Sequence, residues 1–216
     1  MYEITAVIPV RRGSQRVRNK NTKLFAGSSL LQKKIDLLKE LPIKKIIINT
    51  DCPIAIKAAE VNHIEYVLRD PYYASSKCTG SEFHEYLARV TEAENILVAH
   101  VTEPLVSKQS FLEAFEIFDS GQYDSLISVE IVKKFLWFNN APLNYSVDKA
   151  PTSQNLPEYF SPTFGIALVK RDAMLRTKHL ICNKPYFYKL DELEAVDVDT
   201  ELDFEFAEFL YNKYRK

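Results

Sequence analysis

Ile4-Thr5-Ala6-Val7-Ile8-Pro9, followed by Arg11-Arg12-Gly13-Ser14-Gln15-Arg16-Val17-Arg18-Asn19-Lys20-Asn21, is the stretch on which the reading of this chain turns. The first six residues are apolar on both alternating faces, which suits a strand covered on each side by other elements. The eleven that follow Val10 hold five cations and no acid, in a chain whose formal net charge is only −1. Cations gathered so closely repel one another unless an anion sits among them. A glycine lets backbone N–H groups approach such an anion, and arginine and lysine neutralise phosphate oxygens, so a strand feeding this loop suits a phosphate grip. A solvated basic turn is the competing reading. The loop is not a Walker A sequence, because no second glycine precedes a Lys-Ser/Thr pair. It is not GxGxxG either, which argues against a dinucleotide oxidoreductase.

Outward from this point, apolar strand-like runs alternate with helix-period segments. Strands are predicted at Thr5–Pro9, Lys45–Asn49, Ile64–Leu68, Ile96–Val101, Ser125–Ile131 and Phe164–Val169. Ser29-Leu30-Leu31-Gln32 reads as a capping box opening a helix to about Leu41, with Leu31, Ile35 and Leu38 as its stripe. Pro53 suits the first turn of a helix reaching Glu60. Thr79-Gly80-Ser81-Glu82 is a second capping box, with Phe83, Tyr86, Leu87 and Val90 inward. Ser107 caps a helix with Phe111, Phe115 and Phe118 inward. A last helix begins near Thr200 and carries Leu202, Phe206, Phe209 and Leu210. This alternation predicts an α/β fold: a Rossmann-like three-layer α/β/α domain around a mainly parallel, mixed sheet. Residues 132–163 break the pattern. They hold Trp137, several tyrosines and asparagines and four prolines without clear periodicity. That is long for a plain loop, and it reads as an excursion, either a lid or a protruding arm to another subunit.

The bulk numbers fit one domain over residues 1–216. Hydrophobic residues make up 46%, enough for a substantial core. Balanced charge predicts no broad nucleic-acid footprint. No apolar run is long enough to span a membrane, and the first strand starts at once, so neither a membrane segment nor a signal peptide is expected. The three cysteines, Cys52, Cys78 and Cys182, are odd in number and form no CxxC pair. They read as reduced thiols of a cytoplasmic protein. No HExxH spacing announces zinc.

In a sheet of this kind ligands sit beyond the carboxyl ends of the strands. Besides the basic loop, three such ends carry polar clusters: Asn49-Thr50-Asp51, His100-Val101-Thr102-Glu103-Pro104-Leu105 and Val196-Asp197-Val198-Asp199-Thr200. In an extended segment Asp197 and Asp199 share one face, where they repel each other unless a cation bridges them; magnesium suits two such hard oxygen ligands. The bland alternative has Asp199 capping the last helix and Asp197 solvated.

Taken in order along the chain, these pieces resemble the acylneuraminate (CMP-sialic acid) cytidylyltransferase family. Ile8-Pro9-Val10-Arg11-Arg12-Gly13-Ser14 with Lys20-Asn21 resembles its Pro-Ala-Arg-x-Gly-Ser loop and later Lys-Asn. Thr50-Asp51 and Leu68-Arg69-Asp70-Pro71 resemble its Thr-Asp and Arg-Pro segments. Thr102-Glu103-Pro104-Leu105, Tyr123-Asp124-Ser125-Leu126-Ile127-Ser128-Val129, Gln154-Asn155-Leu156-Pro157 and Asp197-Val198-Asp199-Thr200 follow in the family's order. The resemblance implies transfer of CMP from CTP to an α-keto sugar acid, release of pyrophosphate, a need for Mg2+, and a homodimer whose arm is the 132–163 excursion. It implies that Arg11, Gly13, Ser14 and Lys20 hold the triphosphate, with Val10 also in the nucleotide-binding set. Asn21, Arg69 and His100 would lie against the nucleotide, and Asp197 and Asp199 would carry the metal. Arg11, Lys20 and Asp199 would serve catalysis, with His100 or Asp199 as candidate general base. The chain departs from the family's usual residues at Gln15, Arg16, His100 and Glu103. The acceptor therefore stays open between sialic acid-like and Kdo or amino-Kdo-type acids, and a nucleotide-binding homologue without catalysis is the alternative.

Overall fold

The structure is a computed structural model that describes residues 1–13 and 16–215. A seven-stranded sheet forms its centre. In chain order the strands are β1 (Tyr2–Val10), the short pair β2 (Leu24–Phe25) and β3 (Ser28–Ser29), β4 (Ile43–Thr50), β5 (Glu65–Leu68), β6 (Asn95–Val98), β7 (Ser125–Val132), the short pair β8 (Trp137–Phe138) and β9 (Ala141–Pro142), β10 (Tyr159–Lys170) and β11 (Pro185–Lys189). The helices are α1 (Leu30–Lys39), α2 (Pro53–Val61), α3 (Pro71–Ala74), α4 (Gly80–Val90), α5 (Lys108–Asp119), α6 (Arg171–Thr177) and α7 (Glu201–Tyr214). The central order is β11-β7-β10-β6-β1-β4-β5. β1 runs parallel to β4 and β6, β4 to β5, and β11 to β7, while β10 runs antiparallel to both β6 and β7.

The three layers follow from strand alternation. On β1, Ile4, Ala6, Ile8 and Val10 pack into a core shared with α1, α2, α5 and α7. Val7 points to the opposite face, where Tyr86, Leu87, Ala173 and Met174 of α4 and α6 cover it. The expected three-layer architecture with a mixed sheet is what forms.

Capping residues set most helix starts. Thr79 and Glu82 form a reciprocal box, Thr79 N–H donating to Glu82 Oε2 at 2.8 Å and Glu82 N–H to Thr79 Oγ1 at 3.2 Å. Ser107 Oγ accepts from Ser110 N–H at 3.1 Å. The box expected at Ser29 is half formed. Ser29 Oγ accepts from Gln32 N–H at 3.1 Å, but Gln32 Oε1 is taken by the Asn62 amide at 3.0 Å. The last helix is capped by Thr200, whose N–H donates to Asp203 Oδ2 at 2.7 Å, so Asp199 is not its cap.

Three sequence expectations need correction. β5 is an edge strand with a largely exposed face, so Leu68 stays in solvent. On α7, Phe204, Ala207 and Tyr211 face the core, with Phe25 edge-on to Phe204 and Tyr211; Leu202, Phe206 and Phe209 are exposed. The apolar residues of α7 go more than halfway round the helix, and packing against Phe25 selects the narrower Phe204 stripe. Finally, the 132–163 excursion is shorter than expected. Tyr159–Pro162 pair with Val132–Val129 as the start of β10, and the register shifts only between Pro162 and Ala167. The two prolines flanking that segment and the left-handed φ of +61° at Phe164 hide the strand's period. What remains outside the sheet holds the β8–β9 pair and two short 3-10 turns, knitted by Phe135 edge-on to Tyr145 at 4.9 Å.

Candidate active site at the switch point

The chain leaves β1 for β4 on one side, then returns to lay β6 on the other. The crevice between the carboxyl ends of β1 and β6 is therefore the topological switch point, where open α/β sheets place their ligands. A cavity of about 500 Å³ opens there. Arg11, Arg16, Lys20 and Asn21 line it from the loop after β1, His100 and Thr102 from the segment after β6, and Arg69, Tyr73 and Phe83 from the side of β5 and α4.

The loop is anchored at several points. Val17 is buried in the core, and the Arg12 N–H donates to Asp51 Oδ1 at 2.8 Å, so the polar end of β4 holds the end of β1 in place. Gly13 takes a left-handed φ of +74°, which a residue with a side chain adopts only under strain. The Asn21 carbonyl accepts from Leu31 N–H at 3.0 Å and ties the far end of the loop to α1. The Lys20 side chain is only 12% exposed and donates to the Val198 carbonyl. Arg12 and Arg18 point into solvent. The basic run thus divides into three cavity-facing cations and two surface ones.

Opposite the loop lies the Val196–Thr200 segment. Val198 is fully buried and its N–H donates to the Thr102 carbonyl at 2.9 Å, which sets the aspartates on the face away from the core. Asp199 is gripped by Arg16, whose Nη1 donates to Oδ2 at 2.9 Å and whose Nη2 makes an ion-pair contact with Oδ1 at 2.7 Å, and Lys20 Nζ stands 3.6 Å from Oδ1. Asp197 is different. Burial raises its pKa, and Asp199 adds to the rise against the pull of Thr102 and Lys20. Its Oδ1 is buried and has no hydrogen-bond partner among the described residues. A buried, unpaired carboxylate oxygen is costly unless a cation or proton meets it.

The third wall is a polar lattice under the cavity floor. Arg69 is 4% exposed and sits over the Phe83 ring, 4.6 Å from its centroid. Burial lowers its pKa to about 10, so it remains charged at neutral pH. Asn49 holds it, and the Asn49 amide also donates to Tyr86 Oη at 3.1 Å. Tyr86 stacks on Tyr73 with ring centroids 3.9 Å apart. His100 is pushed down to about 4 by burial and then by His84, Lys34, Lys20 and Arg69. It is a neutral imidazole at pH 7, a hydrogen-bonding group and a weak base. Deeper still, Glu103 and Lys34 are both buried. Desolvation raises the carboxyl's pKa and lowers the amine's, and Thr102 Oγ1 donates to Glu103 Oε2 at 2.9 Å. Gly165 makes room for this packing, since a Cβ there would meet Val106 Cγ2 at 2.9 Å.

Residues 5–214 match the family model described as cytidylyltransferase. The chain belongs to the cytidylyltransferase family. Among curated relatives, the N-acylneuraminate cytidylyltransferase of Escherichia coli is 25% identical over 215 residues, covering 95% of this chain and 51% of that protein. The chain thus spans about half the length of the first curated relatives it matches. Two shorter relatives are matched nearly end to end. The post-translational flagellin modification protein B of Campylobacter coli is 27% identical, with 97% of this chain and 95% of that protein covered. The CMP-N,N'-diacetyllegionaminic acid synthase of Campylobacter jejuni is 26% identical, with the same coverage. The solved structure of CMP:2-keto-3-deoxy-manno-octonic acid synthetase complexed with CTP superimposes with a TM-score of 0.71. It covers 97% of this chain and 98% of that one at 14% identity, which establishes a shared fold.

Of the residues expected at the site, the fold brings Arg11, Lys20, Asn21, Arg69 and His100 to the cavity wall, with Asp199 joined to Lys20 and Asp197 beside it. Val10 is different: its side chain is in the core, so it can contribute only backbone. Gly13 stands outside the cavity lining, and Ser14 lies outside the described residues. Sequence reasoning held Arg16 only as one cation of the basic run and gave Asn49, Tyr73 and Phe83 no role at the site. Phe83 fits a helix stripe as well as a cavity wall, so period alone could not separate the two. Asn49 was visible only as one member of a polar cluster.

Proposed function

We propose that this protein transfers CMP from CTP to an α-keto sugar acid of the sialic acid class, releasing pyrophosphate. The observation that carries this reading is a three-cation loop lining a switch-point cavity with a carboxylate pair set against it: Asp199 pairs with Arg16 and Lys20, and Asp197 Oδ1 is buried with no hydrogen-bond partner among the described residues. The family match and the names of the relatives, which act on acylneuraminic and legionaminic acids, support the choice of base and acceptor.

In the proposed reaction the hydroxyl on the sugar's anomeric carbon attacks the α-phosphorus in line, and pyrophosphate leaves. Such a transfer needs positioning and charge neutralisation more than covalent help from the protein. Lys20, Arg11 and Arg16 would take up charge on the departing pyrophosphate, and one such contact is typically worth about a hundredfold in rate. Arg69 would meet a further anionic or carbonyl oxygen from the floor. Neutral His100 would hydrogen-bond the nucleoside or sugar, and its low pKa argues against a role as general base.

Asp197 and Asp199 fit a magnesium ion. The orphaned Asp197 oxygen is the donor such an ion would satisfy. Two protein carboxylates, with the rest of the shell from phosphates and water, is the usual magnesium arrangement. Among the described residues no group of three or more His, Cys, Asp or Glu side chains could hold a metal by itself. When bound, magnesium would neutralise charge at the reacting phosphate.

We further propose one domain that works as a homodimer in the cytoplasm. The excursion between β7 and β10 displays Trp137, Phe138 and Leu143 to solvent, which suits a subunit contact. The three free cysteines suit a reducing compartment, and among the described residues no helix is long and apolar enough to cross a membrane. Calorimetry with CTP, ATP, GTP and UTP tests the nucleotide assignment. CTP should bind tightest, and Lys20→Ala should weaken it at least tenfold. Equal binding of all four, or an unchanged Lys20→Ala, would remove it.

A further inference from the structure

Arg16 lines the nucleotide cavity yet spends its guanidinium on Asp199, one of the two carboxylates that fit a metal. One contact is a hydrogen bond and the other an ion pair, so both Asp199 oxygens are engaged by the same side chain. The two partners differ in freedom. Asp199 is fixed from behind: its N–H donates to Asp203 Oδ2 at 3.2 Å, and the preceding Val198 is buried and bonded to Thr102. The Arg16 side chain is 68% exposed and stands on a loop whose nearest buried anchor is the neighbouring Val17. If the pair opens, the arginine moves and the aspartate stays. The cation it withdraws lies on the same wall as Arg11 and Lys20.

Resting on the nucleotide reading above, we propose that Arg16 is an exchange cation. With Lys20 it neutralises Asp199 until a nucleoside triphosphate binds, then passes to the phosphates, and so makes Asp199 more available to a divalent cation once nucleotide is in place. A triphosphate carries several negative charges against the single charge of Asp199, so the guanidinium gains by the transfer. Asp199, left beside Asp197 and facing new phosphate oxygens, then needs a divalent cation more than before. The exposed pair is cheap to open, since such ion pairs are worth at most about fivefold in an equilibrium constant. Arg16 therefore biases the order of binding without blocking either ligand.

Two binding measurements without turnover test this. Manganese titrated alone, followed by electron paramagnetic resonance, should bind Arg16→Ala roughly three- to fivefold tighter than the unchanged protein. CTP titrated in the presence of a chelator should bind Arg16→Ala several-fold more weakly. Arg16→Lys, which keeps the charge without the fork, should fall between them in both. Opposite signs in the two titrations are the signature, because a merely damaged loop would weaken both. Manganese binding that is unchanged or weaker in Arg16→Ala, or absent from both forms, overturns the exchange. Loss of the nucleotide reading would look different: the unchanged protein would fail to bind CTP with or without manganese.

Discussion

Arg69 is fixed to Asn49 at two points, its Nε donating to the Asn49 side-chain oxygen at 2.7 Å and its Nη2 to the Asn49 carbonyl at 2.9 Å. Both residues are buried, and the Asn49 amide nitrogen is committed to Tyr86 Oη, so the amide cannot flip without breaking the set. A cation under the cavity floor is thereby held at one orientation. Asn49→Ala removes the side-chain acceptor and leaves a buried charged donor short of a partner, which costs roughly 2 kcal/mol. Denaturant unfolding should show that loss, and nucleotide KM should rise more than kcat falls. Unaltered KM would mean that Arg69 serves the fold alone.

Asp197 presents a conflict between stability and chemistry. Its pKa is raised, first by burial and then by Asp199. A carboxyl raised in the folded state contributes stability that is complete below its unfolded pKa and is lost as pH rises through the folded value. At neutral pH the group is therefore a burden unless a cation meets it. Asp197→Asn should raise Tm by a few degrees at pH 7.5 in chelator while abolishing turnover. A lower Tm in chelator would show that the carboxylate is already satisfied.

The histidines act in the opposite direction. Burial, then His179, holds His84 at about 4, and burial with neighbouring charges holds His100 at about 4. Unfolded histidines titrate near 6.5. Between those values the unfolded chain binds more protons, so this stability is complete above pH 6.5 and is lost as pH falls through 4. For His100 alone the loss by pH 5 is roughly 2 kcal/mol. Unfolding curves at pH 7.5 and 5.0 should converge by about that amount in His100→Gln. An identical pH response in the variant would place His100 in a solvated setting.

The excursion between β7 and β10 is held together by its own contacts: the Asn144 side chain accepts from Leu136 N–H at 3.0 Å and donates to the Lys134 carbonyl at 2.8 Å. Its large apolar side chains stay in solvent, which a partner subunit would cover. Sedimentation should give a dimer, and Trp137→Asp combined with Phe138→Asp should shift it to monomer with little change in Tm. A monomer before mutation would sink the arm assignment.

How much of this was legible in the sequence depended on whether local pattern and tertiary packing agreed. β1, β4, β6 and β7 were plain because continuous Val/Ile runs bury both faces. β11 was missed because Pro185-Tyr186-Phe187-Tyr188-Lys189 is half-buried and aromatic, without alternation, and α6 because Arg171–Thr177 is barely two turns. At the site, the clustering of charge around Gly13 and the Asp197/Asp199 spacing could be read directly. What could not be read was which cations turn inward. Arg16 and Arg18 are chemically alike, and only the buried Val17 between them and the Asp199 carboxylate that Arg16 meets separate a cavity cation from a surface one.

The most direct test is pyrophosphate release with CTP and magnesium across sialic, legionaminic, pseudaminic, Kdo and amino-Kdo-type acids, with ATP, GTP and UTP as controls. The account predicts release with CTP and a nine-carbon acid of this class, lost in Asp199→Ala with the fold intact. Release that persists in Asp199→Ala, or none with any of these acids under saturating CTP, would contradict it.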